Sequence, residues 1–457
     1  MKSFDLQKIV KAYDIRGIYP TELDELFAYK LGQAFTLFIQ DAVEKKEVSI
    51  VVASDMRLSS PSLKQSLVTG LIDQGATVID IGLASAPTFY FAVAYHNYDG
   101  GLIVTASHNP KEYNGFKMVR KHSIPISIGS GLQSIREMIE QDEFSSACKG
   151  SLIKKDDILK TQIDHDLTFI QQDKIKPYTI VADPANAMGS LYLEELFSHL
   201  PGHLIKMNFD LDGRFPAHQA DPLNEENLIQ LKQRVLEEHA DFGIATDGDG
   251  DRLFFVDEKG EVVPSHILRG VLAKPFLEQH PGASICYDIR PGKITKDIIL
   301  KFGGKPIITR VGHSLIKEKM REINAVFAGE SSGHYFLRFD HGYYEAPIIM
   351  IGKILEQLSA SNQSFSAFIK PYKKYVHSGE INSKVSNPLE KIKEIISLHP
   401  NPLSITQLDG VSIEYENYWF NVRASNTEPL IRLNLEAINK EIMVKQRNRL
   451  LTIIQSN

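Results

Sequence analysis

The chain has 457 residues, 43% hydrophobic and 24% charged, with a formal net charge of −6. That length exceeds what one hydrophobic core supports and implies about three or four domains of ordinary globular composition. The absence of a basic arm argues against a nucleic-acid or anionic-membrane footprint, and no apolar run reaches the roughly 20 residues that span a bilayer.

The N-terminus leads into polar residues and lacks the apolar stretch of a secretory signal, so a cytoplasmic protein is expected. Cys148 and Cys286 stand far apart, without His or Cys at metal-ligand spacing, and read as two free thiols.

Along the chain, a β-branched run ending near an Asp appears three times, each followed by a helix-length segment and two further apolar runs. The first set covers residues 49–55, 76–81 and 101–104; the second 179–183, 203–207 and 242–245; the third 284–288, 306–311 and 325–328. This alternation predicts βαβ units with parallel strands, which place ligands outside the carboxyl ends of the strands. Each third run leads into the most polar loop of its unit, at 105–110, 247–252 and 329–334. Three similar α/β domains presenting one loop each to a shared cleft is the reading; a single large mixed sheet is the alternative. Polar, linker-like stretches lie near 142–157 and 358–366. Beyond about residue 372, amphipathic segments at 388–398 and 439–454 flank strand-like runs at 411–413 and 418–422, predicting a smaller α+β domain.

Ser107, in Thr105-Ala106-Ser107-His108-Asn109-Pro110, directly follows a buried strand and precedes a proline turn. There it is expected to be exposed at the carboxyl edge of the sheet, able to accept a phosphoryl group if cations and a metal neutralise the charge. Alone it also reads as a turn former. His108 is its neighbour, so the two side chains are expected to diverge, against a Ser–His hydrolase pair. The Gly-x-Ser-x-Gly elbow is missing too. Lys117 reads as a phosphate ligand, a proton carrier or a solvated lysine.

Asp247, Asp249 and Asp251 alternate with glycines, whose freedom lets three carboxylates converge on one hard cation; a solvated turn without metal is the alternative. A calcium loop of the EF-hand type wants Gly where Arg252 stands, and its flanks should be helices rather than strands. Glu330 and Ser332, between Gly329 and Gly333, suit vicinal sugar hydroxyls or a plain polar turn. Arg423, Ser425, Asn426 and Thr427 suit a phosphate dianion, although Arg423 also fits a structural ion pair.

These motifs, in order and nearly end to end, resemble the α-D-phosphohexomutase superfamily, specifically its bacterial phosphomannomutase/phosphoglucomutase group. The resemblance is carried by Thr-Ala-Ser-His-Asn-Pro with 113–117, Asp-Gly-Asp-Gly-Asp-Arg at 247–252, and Lys11-Ala12-Tyr13-Asp14-Ile15-Arg16-Gly17. Gly312-His313-Ser314-Leu315-Ile316-Lys317 and Arg423-x-Ser425-Asn426-Thr427 extend it. It implies an α/β fold of four domains around a central cleft: three topologically related domains with mixed, mostly parallel sheets, and a smaller α+β fourth. The boundaries expected are 1–150, 151–257, 258–370 and 371–457.

The resemblance implies that Ser107 is a phosphoserine sharing Mg²⁺ with Asp247, Asp249 and Asp251. Arg16, Lys117, His108 and His313 are the further catalytic candidates, with Lys117 and His313 competing for the acid/base role. Tyr13, Arg252, Gly312, Glu330, Ser332 and His334 are implied on the sugar side, and Arg423, Ser425, Asn426 and Thr427 at the non-reacting phosphate. The activity implied is interconversion of hexose 6-phosphate and hexose 1-phosphate, mannose first and glucose next, through a hexose 1,6-bisphosphate that also serves as activator. A monomer acting on a phosphosugar, without nucleic acid or membrane, is expected. Phosphoglucosamine mutase is the nearest rival, followed by a magnesium-dependent sugar phosphatase and a non-catalytic phosphosugar-binding protein. Ser331 replaces a Met common in glucose- and mannose-specific members, which bears on the sugar and not on the phosphoryl chemistry.

Overall fold

The computed structural model describes residues 4–145, 149–424 and 430–456. Every β-branched run of the three sets forms a strand, and the pairing repeats. In the first domain Ser49–Ser54 lies between Thr77–Leu83 and Gly100–Val104, parallel to both, and Tyr113–Arg120 returns antiparallel beside Gly100–Val104. The second domain repeats this: Tyr178–Asp183 lies between Gly202–Lys206 and Phe242–Thr246, and Leu253–Asp257 returns antiparallel. In the third, Ser284–Asp288 lies between Lys305–Thr309 and Phe327–Gly329, again parallel to both. The polar loops therefore leave the carboxyl end of equivalent strands, as sheets of this kind require.

The chain divides into two compact units, Met1–Val263 with Ser332–Ser366, and Pro264–Ser331 with Ala367–Asn457. In the first unit, helix Glu25–Val43 is capped by Asp24, whose side chain accepts from Phe27 N–H. Its Leu31 and Phe35 share a core with Leu63 and Leu67 of helix Ser60–Asp73 and with Ile50, Val52, Leu102 and Val104 of the sheet. The two helices meet at Gly32 and Gly70, where a Cβ on Gly70 would lie 2.0 Å from the Tyr29 carbonyl oxygen. An antiparallel hairpin, Tyr335–Phe339 with Gly342–Glu345, and helix Pro347–Ser361 also belong to this unit.

Both linker-like stretches contain regular structure. Ser151–Lys154 adds a parallel edge strand beside Thr77–Leu83, exposed on both faces and so without a hydrophobic pattern to announce it. Helix Pro347–Ser361 runs into the second stretch because Leu358 and Ser359 are buried.

In the second unit, the fourth domain is an antiparallel sheet ordered Val376–Lys384, Leu430–Ala437, Tyr418–Ala424, Val411–Glu414, Ser404–Thr406. Helices Pro388–Ser397 and Lys440–Gln455 supply Ile395, Leu450 and Ile454 to a core containing Phe420 and Val422. Strand alternation sends Trp419, Asn421 and Arg423 to the other face. There the Trp419 indole N–H donates to Glu436 at 2.7 Å, and Glu436 also accepts the Lys293 N–H at 3.1 Å from the first turn of helix Lys293–Lys301. Cys286 is a buried free thiol; Cys148 lies outside the described residues. Among the described residues no helix is long and apolar enough to cross a membrane.

Candidate active site

Ser107 stands at the carboxyl edge of the first sheet, but it is buried rather than exposed, at 3%. Its backbone is left-handed, with φ of 50°, a strained setting for a residue with a Cβ. That turn corrects a second expectation: the Ser107 and His108 side chains converge, with Nδ1 of His108 3.3 Å from Ser107 Oγ. Ser107 N–H donates to Thr105 Oγ1 at 3.0 Å, and Ser107 Oγ donates to Asp247 Oδ2 at 2.7 Å. The serine loop meets the acidic loop closely enough that a Cβ on Gly248 would lie 2.2 Å from the Ser107 carbonyl oxygen.

Asp247, Asp249 and Asp251 are fully or almost fully buried, and each offers a carboxylate oxygen within 4.8 Å of the others. Lys117 Nζ lies 2.6 Å from Asp249 and 2.6 Å from Asp251. Burial opposes its charge, but those two carboxylates outweigh it and raise its pKa well above the ordinary value. Burial and the charges of Asp251 and Asp249 push Asp247 up to about 7. Burial also opposes the charge of Asp251, yet Lys117 and His334 hold its pKa well below the carboxylate range. Neither oxygen of Asp249 accepts an aligned hydrogen bond; the Lys117 ammonium meets it as an ion pair only. A buried triad short of positive charge, presenting hard oxygens from three alternate residues, fits a divalent cation.

Around the triad, Arg252 N–H donates to Asp247 Oδ1 at 3.1 Å, and its guanidinium lies 3.3 Å from Asp221. His334 Nε2 is 3.1 Å from Asp251 Oδ1, and its Nδ1 is 2.8 Å from Ser332 Oγ. Arg16 donates to Asp14 at 2.8 Å, to the Ala106 carbonyl at 2.7 Å and to the Asn109 side chain. Tyr13 is half-buried and interacts electrostatically with Arg16. Burial, with Arg252 and Arg16 nearby, pushes the His108 pKa down to about 2, so its imidazole is neutral. Eight expected residues thus come together with the triad in one unit: Ser107, His108, Lys117, Arg16, Tyr13, Arg252, Ser332 and His334.

The second unit holds a separate polar cluster. Glu330 Oε1 accepts the Gly312 N–H at 2.8 Å, and Gly312, with φ of 136°, introduces the helix His313–Ile323. Val311 N–H donates to Asp409 at 3.1 Å, and Asp409 lies 3.3 Å from Arg423, which donates to Glu380 at 2.7 Å. Ser425, Asn426 and Thr427 lie outside the described residues. Sequence reasoning missed Asp409, Glu380 and Arg290. Arg290 carries a signal: Asp288-Ile289-Arg290 repeats, at the end of an equivalent strand, the spacing of Asp55-Met56-Arg57. It donates to Asp288 at 2.7 Å and interacts electrostatically with Glu330 and Glu380. Nothing in the sequence alone singles out Asp409 or Glu380.

Four family models match in succession: phosphoglucomutase/phosphomannomutase alpha/beta/alpha domain I over residues 7–146, domain II over 159–260, domain III over 264–375, and the C-terminal domain over 380–452. The chain is 40% identical over 437 residues to a phosphomannomutase of Vibrio cholerae, covering 93% of this chain and 94% of that protein. It is 40% identical over 453 residues to a phosphomannomutase of Methanocaldococcus jannaschii, covering 98% and 97%. Among solved structures, a phosphoglucomutase/phosphomannomutase family protein of Burkholderia thailandensis superposes with a TM-score of 0.89 at 30% identity, covering 100% of this chain and 98% of that one.

Proposed function

Because this chain belongs to the phosphoglucomutase/phosphomannomutase family, we propose that it interconverts hexose 6-phosphate and hexose 1-phosphate, mannose first and glucose next. One observation carries the reading: the buried Ser107 hydroxyl lies 2.7 Å from a carboxylate of a triad fit for a divalent cation. Lys117 and Arg16 reach the same triad and the same loop.

Phospho-Ser107 gives its phosphoryl group to a hydroxyl of the bound sugar phosphate. The serine Oγ–P bond breaks, a sugar O–P bond forms, and the proton lost by the sugar hydroxyl is gained by Ser107 Oγ. The bisphosphate so made turns over, its other phosphoryl group passes back to Ser107 Oγ, and the isomeric monophosphate departs. Such transfer needs alignment and charge neutralisation more than covalent chemistry. Lys117, kept as an ammonium by Asp249 and Asp251, and Arg16 supply fixed positive charge. His108, neutral and 3.3 Å from Ser107 Oγ, orients that hydroxyl. Of the two acid/base candidates, Lys117, held as an ammonium by Asp249 and Asp251, keeps its proton, which leaves His313 as the proton carrier of the proposal.

Ser107, Asp247, Asp249 and Asp251 would hold Mg²⁺, which when bound supplies further neutralisation at the phosphoryl oxygens. Tyr13, Arg252, Gly312, Glu330, Ser332 and His334 take the sugar side, and Arg423 with Ser425, Asn426 and Thr427 the phosphate that does not react. The four domains are drawn at 1–150, 151–257, 258–370 and 371–457, which the matched segments support. Action as a cytoplasmic monomer, without nucleic acid or membrane, completes the proposal.

The test assays mannose 1-phosphate and glucosamine 1-phosphate side by side, with magnesium and the matching bisphosphate. Turnover of the mannose compound is expected, and turnover of the glucosamine compound alone would sink the sugar choice. Release of inorganic phosphate, indifferent to added bisphosphate, would replace the mutase with a phosphatase. Ser107→Ala should lose nearly all activity.

A further inference from the structure

Arg57 has no part in the chemistry above, yet it is among the largest fully buried side chains of the molecule, 1% exposed. Its guanidinium is spent on one loop. One terminal nitrogen donates to the carbonyls of Pro110 at 2.7 Å and Tyr113 at 3.0 Å. The other donates to the carbonyls of Ser107 at 2.7 Å and Asn109 at 2.6 Å. None of these bonds touches the serine hydroxyl.

The charge is balanced from below. Asp55 Oδ2 lies 3.2 Å from Arg57 Nε, as an ion pair between side chains with no exposed surface. Asp55 is itself held through Oδ1, which accepts the Arg57 N–H at 3.0 Å and the Ser60 hydroxyl at 2.6 Å. From above, the Phe215 ring covers the guanidinium with its centroid 5.0 Å away. The chain at Gly213 runs so close that a Cβ there would lie 2.6 Å from Arg57 Cα.

A loop that leaves a sheet loses its ladder partners, and buried carbonyls without donors are costly. Between Ser107 and Tyr113 the backbone turns through a left-handed residue; the Tyr113 N–H meets the Pro110 carbonyl at 3.0 Å, while the Ser107 carbonyl, at the buried end of the loop, is met by Arg57. A planar fork with several donors in fixed directions satisfies four of them at once; a lysine ammonium, one point with three donors, does not. Reaction at a held nucleophile is steeply sensitive to displacement, with about 100-fold lost for an error near 1 Å.

We propose that Arg57 is the positioning residue of the Ser107 loop, fixing its carbonyls so that Ser107 Oγ keeps its buried, left-handed setting through phosphoryl transfer. The inference rests on the reading of Ser107 as the phosphorylated residue.

Steady-state assays of Arg57→Lys, with magnesium, hexose 1-phosphate and bisphosphate, test it beside Ser107→Ala. For Arg57→Lys, kcat should fall about 100-fold while KM stays within about threefold, because placement is lost and substrate contacts are not. The ³¹P resonance of phospho-Ser107 should shift or broaden in the same variant. A kcat within about threefold of the parent overturns the inference, as does a loss carried by KM alone. Should Arg57→Lys not fold, Phe215→Leu decides, since it takes the aromatic face from the guanidinium and keeps an apolar side chain against Ala185, Ala187 and Ala220: a kcat loss of about three- to tenfold at constant KM supports the role, and unchanged kcat overturns it. An inactive Ser107→Ala beside an active Arg57→Lys overturns the positioning role alone. An active Ser107→Ala takes down the phosphoserine reading and this inference with it.

Discussion

Asp55 directly follows strand Ser49–Ser54 and Asp288 ends strand Ser284–Asp288; both are buried, and both have an arginine two residues later. Identical spacing nevertheless gives two constructions. Arg57 turns inward and serves the carbonyls of the loop at 107–113. Arg290 remains partly accessible, with 15% side-chain exposure, and the buried fork at Asp288 comes instead from Arg269 of helix Ser265–Gln279. Arg269 donates to Asp288, to the Pro291 carbonyl and to Ser331 Oγ, the last at 3.1 Å, and a Cβ on Gly329 would lie 2.6 Å from its Cγ. The second domain has no arginine in this role: Asp183 accepts from Ala185 N–H at 2.9 Å and Asn208 at 3.0 Å, and lies 3.0 Å from His218. The strand-end carboxylate is thus the fixed point, and whichever cation passes nearest completes it.

The largest stability loss is expected at Arg269. Arg269→Met leaves Asp288 in a buried setting with one partner lost, and should cost about 3–5 kcal/mol of stability in urea unfolding. Arg290→Gln should cost less, about 1–2 kcal/mol, since 15% of that side chain stays exposed and the amide keeps a donor near Asp288. Equal losses would mean that the two guanidinia are not divided as described. In activity the order should reverse for soluble protein: Arg290→Gln is expected to raise KM about tenfold through its charge beside Glu330 and Glu380, with kcat little changed. An unchanged KM would leave Arg290 without a part in substrate binding. Ser331→Ala deletes one hydroxyl that donates to Asp288 at 2.9 Å while both arginines stay, so a loss near 1 kcal/mol is expected.

A pH series sharpens the contrast further, because arginine charge does not change while histidine charge does. His341 sits 5.4 Å from the His165 ring, with Nε2 2.7 Å from the Tyr344 hydroxyl; Asp340 adjoins it, and its carbonyl meets His122 Nδ1 at 3.1 Å. Burial, then the His165 charge, lowers its pKa from 6.5 to about 4. Between those values the unfolded chain binds a proton that the folded chain does not, so stability should fall as pH drops from 6.5 towards 4. His341→Phe should flatten part of that slope in urea midpoints taken at intervals across it. An identical slope in the variant would assign the acid sensitivity elsewhere.

Much of the molecule was legible in the sequence because its signals are local. The β-branched runs became strands in register, and the loops at 105–110 and 247–252 met as a polar pair with Lys117 between the carboxylates. Less legible was whatever depends on a partner remote in the chain. Ser107 is buried because residues 247–251 cover it, and His108 turns towards it because φ at Ser107 is positive. Ser151–Lys154 is a strand only because Thr77–Leu83 offers an open edge. The full burial of Arg57 and the partial exposure of Arg290 accompany helix Ser265–Gln279 bringing Arg269 to one site and no equivalent arginine to the other.

Trp419 is the only tryptophan among 457 residues, and its indole is tied to Glu436, which also accepts a backbone N–H of Lys293. Intrinsic emission excited at the red edge therefore reports from a single place, where the fourth domain meets the third. The protein carries its own optical gauge of that junction, readable during ligand addition without any label.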